Sequence, residues 1–139
     1  MKYKTDEVLA KEFMRLGLTM LRKPTNGSMR TQQRRFRSAF GTSSTVCAIL
    51  WHAIDVPIQK PIIKNYCYLL WTLHFMKVYS TEHNHIATLG IHSEKTFRKW
   101  VWIYAESISF LTAELVSKQI MHFLSFQKTS MPLLVLFFY

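Results

Sequence analysis

Acidic residues are scarce in this 139-residue chain: eight Asp and Glu stand against 18 Lys and Arg, a formal net charge of +10. From Arg22 through Ile54 there are six Lys and Arg and no carboxylate. Metal-dependent phosphoryl chemistry gathers several carboxylates around paired Mg²⁺ ions. Here the carboxylates, from Asp6 to Glu114, fall on charged helix faces, caps or turns, and none sits on an apolar strand. Cysteine is almost absent too. Cys47 and Cys67 make no C-x-x-C pair, so neither a disulfide framework nor a zinc finger is expected. Both lie in apolar helical patterns and read as buried, reduced thiols of an intracellular protein.

Glycine is limited to four isolated positions, which excludes a phosphate-cradling glycine loop. No long hydrophobic run exists. The most apolar internal stretch, Lys64 to Lys77, falls short of the ~18–20 residues that span a bilayer. The charged start "MKYKTDEVLAKEF" lacks the apolar core of a signal peptide. No motif sets a nucleophile beside a base and an orienting acid, so a non-catalytic protein is expected. His83, His85 and His92 are close in sequence but lack paired cysteines. They read as polar surface histidines beside a turn, with His92 near enough to touch a phosphate. No metal and no cofactor are expected.

What is present is apolar and helical. Almost half the residues are hydrophobic, enough to bury a core. Thr5 is a candidate helix cap, and Leu9, Phe13, Leu16 and Met20 then recur at helical spacing. "KPTNGS" (Lys23 to Ser28) ends that helix and is the best linker in the chain. "TQQRRFRSAF" follows, with Arg34, Arg35 and Arg37 clustered around Phe36 and Phe40. Thr42 or Ser43 can cap a helix whose inner face is Cys47, Leu50 and Ile54. The segment Ile62 to Tyr79 is apolar nearly all round, which predicts a central buried helix. Ser80 or Thr81 can cap a short helix ending near Leu89, terminated by Gly90. Ser93 can cap another, running to about Gln119. Period-two alternation is nearly absent. The pattern predicts an all-α fold, a small helical bundle containing a helix-turn-helix, with an ambiguous apolar C-terminal tail. The expected division is an N-terminal helix and linker (1–30), a helical DNA-binding domain (31–119) with the helix-turn-helix at about 81–111, and the tail (120–139), whose end beyond Met131 should be poorly tied to the core.

The second helix of that motif carries the functional signal. At 100° per residue, Phe97, Trp100, Val101, Tyr104, Ile108 and Leu111 share one side, and Lys95, Arg98, Lys99 and Trp102 the other. The basic residues occupy the first two turns, the part of a recognition helix that meets base edges. Thr96 and His92 lie beside them. Arg34, Arg35 and Arg37 form a second group able to grip flanking phosphates. A charge run alone more often just solvates a helix. Here it coincides with a capped start, a tight turn and a preceding short helix with a small residue, Ala87, where the two helices would cross. Gly90 comes three residues after Ala87, where four is usual for such motifs.

"RRFRSAFGTSSTVCAILWHAI", "LLWTLHFMKVYSTE" and "EKTFRKWVWIYAESISFL", in this order, resemble the N-terminal helical region of DDE-superfamily transposases, most closely the PIF/Harbinger-like elements of eukaryotes. The resemblance covers about Arg34 to Leu111, and "EKTFRKWVW" is its most specific piece. It implies transposon-end binding to double-stranded DNA in the nucleus, ahead of an RNase H-like domain with three catalytic carboxylates. None of those carboxylates has a counterpart here. The resemblance therefore implies a truncated or relic transposable-element protein, or a fragment, without catalytic activity. Its expected protein partners are a second copy or a full-length transposase. The competing expectation is a small basic helical protein that docks on a partner or a membrane surface through its apolar tail.

Overall fold

The computed structural model describes the backbone of residues 2–54 and 63–130, and the side chains of 7–54 and 65–125. The tail from Met131 lies outside the described residues. Six helices and no strand occur among them: α1 (Lys2–Met20), α2 (Met29–Phe40), α3 (Ser44–Ala53), α4 (Ile63–Lys77), α5 (Glu82–Leu89) and α6 (Glu94–Ser130). The all-α expectation holds. None of these helices is long and apolar enough to cross a membrane. The chain divides into two compact units, Met1–Ser107 and Ile108–Tyr139.

Local chemistry sets most helix ends. The Ser28, Ser43, Thr81 and Ser93 hydroxyls each accept a hydrogen bond from the backbone N–H three residues on, which satisfies one of the donors a helix start leaves free. Gly41 and Gly90 end α2 and α5 in the left-handed conformation (φ 76° and 67°) that side-chain-bearing residues rarely adopt. Two ends differ from the sequence reading. α1 begins at Lys2, so Thr5 lies inside it rather than capping it. α6 continues past Gln119 to Ser130, because no Gly or Pro interrupts the chain until Pro132.

In the first unit, α1 buries Leu9, Phe13, Leu16 and Leu18. Met20, expected on that stripe, is only half-buried. Phe13 packs edge-on against Trp51 of α3 and Tyr66 of α4. Gly17 lets α1 approach α2 closely. A Cβ there would stand 2.5 Å from the Phe36 ring and 2.8 Å from Phe40. In α3 the buried face is Cys47, Ala48 and Trp51, followed by Ile54. Leu50 is rotated half out of the core. Burial pushes the Cys47 thiol up to about 12, and both cysteines are free.

α4 supplies the centre through its residues from Asn65 to His74, whereas Phe75, Met76 and Tyr79, expected to be buried with them, are exposed. Leu69, Leu70 and Thr72 are fully buried, and His74 nearly so. Tyr68 stacks on Trp100 of α6, with ring centroids 4.5 Å apart and planes 8° from parallel. Trp71 and Phe75 meet Phe97. The fully buried Leu69, Leu70 and Phe97 each contribute roughly 1.5–3 kcal/mol. This platform fixes which face of α6 turns inward.

In the second unit, the helix residues Phe110, Leu115, Val116, Ile120, Met121, Phe123 and Leu124 are all exposed.

Candidate nucleic-acid interface

A four-residue turn, Gly90 to Ser93, joins α5 to α6. The N–H groups of Gly90 and Ile91 both donate to the Ile86 carbonyl, closing the end of α5. Nothing lies within 4 Å of where a Gly90 Cβ would stand, so only its backbone conformation calls for glycine. Three residues later the Ser93 hydroxyl accepts from Thr96 N–H at 3.3 Å and α6 begins.

The burial of α6 sorts its first turns into two faces. Phe97, Val101 and Tyr104 are buried, and Trp100 is half-buried against Tyr68. Lys95, Arg98, Lys99 and Trp102 are exposed, Trp102 by 64 %. Thr96 is half-buried, and His92 is exposed in the turn. Lys99 Nζ lies over the Trp100 ring, 5.2 Å from its centroid, a cation–π contact.

Two carboxylates temper this face. Arg98 forks onto Glu82 at the start of α5, with Nη2 to Oε1 at 3.0 Å and Nε to Oε2 at 3.3 Å. Glu94 lies 3.7 Å from His83 Nδ1. The bidentate pair clips the first turn of α5 to the second turn of α6, so Arg98 holds the motif's geometry as well as its charge.

The α5 packing departs from the sequence reading. Ala87 is exposed and makes no helix crossing. The inward residues are His85 and Leu89, because His85 and Leu89 are one helical turn apart and Ala87 points away from both. His85, expected on the surface, is 1 % exposed. Its Nδ1 is 2.8 Å from Nδ1 of His74, and its ring lies against Phe75 and Phe97. Burial lowers both imidazoles' affinity for a proton, His74 to about 4. Among the described residues no group of three His, Cys, Asp or Glu could hold a metal.

The other predicted group divides. Arg34 and Arg37 are exposed on α2, whereas Arg35 is half-buried and its Nη1 donates to the Pro24 carbonyl at 3.4 Å. Arg30, which the sequence reading passed over, shares a face with Arg34 and Arg37. Its signal was available as the i, i+4, i+7 spacing of the three. No family model, no curated protein and no solved structure matches the chain.

Proposed function

We propose that this chain is a duplex-DNA-binding helical module of the transposase-derived kind its sequence resembles, presenting the start of α6 to the major groove. One observation carries the reading: Lys95, Arg98, Lys99 and Trp102 stand together on an exposed face immediately after a capped, four-residue turn. Lysine and arginine there can bond phosphate oxygens or guanine edges, and the indole can pack on sugar. The test is fluorescence anisotropy with duplex DNA of wild type and Lys95→Ala/Lys99→Ala, a pair that leaves the Arg98–Glu82 clip intact. A base contact at either lysine should cost on the order of 1–3 kcal/mol of binding. Equal affinity of the two proteins at low and moderate salt would remove α6 from the interface.

A second reading rests on the exposed apolar residues of α6 beyond Ile108. Val116, Ile120, Phe123 and Leu124 fall within about 100° of arc on the helix. A protein-docking helix would use that stripe. Association should then respond to Ile120→Glu/Phe123→Glu and not to the lysine pair, as read by sedimentation velocity at rising protein concentration.

A further inference from the structure

Three arginines of α2 face a concavity that contains no carboxylate. Arg30, Arg34 and Arg37 lie within about 60° of arc on the helix, beside the face on which Phe36 and Phe40 anchor α2 in the core. They line a concavity of about 640 Å³ between α2 and the start of α3. None of the three is paired with an acid among the described residues; Arg35, on a different side, is the one tied to the loop. Thr31 and Gln33 complete the α2 wall. Ser43 and Thr45 form the opposite wall, where α3 begins. Every lining side chain can donate a hydrogen bond, and none carries negative charge.

The arginines dominate the charge, and the α3 start adds to it. Ser43 accepts from Val46 N–H, so the Ser44 and Thr45 amides remain as first-turn donors at the positive end of the helix dipole. Guanidinium forks match phosphate oxygens in pairs. Seven residues separate Arg30 from Arg37, about 10 Å along the helix at 1.5 Å per residue. Neighbouring phosphates of one strand are farther apart than the ~3.4 Å axial rise, because the strand also winds around the axis, so the row of arginines reaches past one phosphate to its neighbour. A lone inorganic phosphate would use only part of it.

We propose that this concavity seats the phosphodiester backbone of a nucleic-acid strand and is the main phosphate site of the chain. The assignment rests on the DNA-binding reading and deepens it. The start of α6 brings three cations but also Glu82 and Glu94. The α2 site brings three cations with no opposing charge.

The experiment uses the full chain and the variant Arg30→Gln/Arg34→Gln/Arg37→Gln, whose exposed positions and helix-favouring substitutions keep α2 folded, verified by circular dichroism. Anisotropy with duplex DNA across a salt series is one arm. Titration of ¹⁵N-labelled protein with pyrophosphate is a second, and phosphatidylserine vesicles are a third. The expected result is a salt slope reduced by about 2–3 in the variant, since each neutralised phosphate contributes about 0.9. Pyrophosphate should shift the Thr31, Ser44 and Thr45 amides in wild type, and in Lys95→Ala/Lys99→Ala, but not in the arginine variant. If wild type binds duplex and the arginine variant keeps its slope, the concavity is not the phosphate site, while the DNA-binding reading stands. If wild type binds no duplex, the DNA-binding reading fails and this assignment with it. Loss of vesicle binding in the variant with unchanged DNA binding would assign the arginines to a lipid surface and overturn the proposal.

Discussion

The Nδ1 atoms of His74 and His85 lie 2.8 Å apart, where both residues are at least 95 % buried, joining α4 to α5. Such a bond needs one ring to donate and the other to accept, so the pair works only while one Nδ1 is unprotonated. His85 Nε2 makes no hydrogen bond, and although the Ser80 and Val78 backbone favours the charged ring, burial outweighs them and lowers its affinity for a proton.

Stability should therefore fall on acidification. A histidine whose folded-state affinity for protons is lowered is stabilising above its unfolded value of ~6.5 and loses that contribution as pH falls towards the folded value. For His74 the folded value is about 4, so the window is pH 6.5 to 4. Between pH 7 and pH 5, His74 alone should remove on the order of 2 kcal/mol. Urea denaturation at the two pH values measures it. A midpoint that moves equally in wild type and in His74→Leu would show that the pair is not responsible.

Glu82→Gln should separate binding from stability. The Glu82–Arg98 pair is exposed, with side-chain accessibilities of 33 % and 61 %, so breaking it should cost at most ~1 kcal/mol of stability. DNA affinity should rise several-fold, because a carboxylate leaves the interface and a guanidinium is released. The log–log salt slope should steepen by about 1. Weaker binding in an equally stable variant would mean that the clip, rather than the free charge, is what DNA needs.

Two glycine substitutions should fail for different reasons. Gly90→Ala meets no neighbour but must hold φ 67°, a strain of about 1–2 kcal/mol. Gly17→Ala improves helix propensity by about 1 kcal/mol, yet drives a methyl into Phe36 and Phe40. Overpacking of that kind costs typically 1–3 kcal/mol, so α1 and α2 should part slightly and the thermal midpoint should drop. A stabilised Gly17→Ala protein would show that α1 and α2 leave room for a methyl group there.

Phe97 and Trp102 sit on opposite faces of α6 and should behave oppositely. Phe97 is 1 % exposed, and its truncation should cost roughly 3–5 kcal/mol. Trp102→Ala should leave stability within about 0.5 kcal/mol and weaken DNA binding. Chemical denaturation and anisotropy on both variants make the comparison. A large loss of stability in Trp102→Ala would place the indole in a contact rather than on the free face.

The sequence by itself determined the helices and the two faces of α6. Their signals are local. Ser43 and Ser93 can satisfy the amides three residues ahead, Gly90 can take the left-handed turn, and a 3.6-residue stripe from Phe97 to Tyr104 separates core from solvent. None of these depends on a distant neighbour.

What the tertiary structure decided are the choices that local signals leave degenerate. In α5, Ala87 and His85 are both plausible inward residues by type. α4 settles it, because His74 offers an imidazole partner and Phe75 an apolar wall, so burying His85 pairs the two Nδ1 atoms although its own Nε2 is left without a hydrogen bond. Arg98 is a free cation in sequence, 16 residues from Glu82, and only the folded turn brings the two to 3.0 Å. Arg30, Arg34 and Arg37 share a face by spacing alone. Their concavity exists only because Gly41 turns the chain so that the start of α3 forms its other wall. Long-range neighbours set the cost of burial and the availability of charge, and those are properties of the packed helices rather than of any stretch of residues.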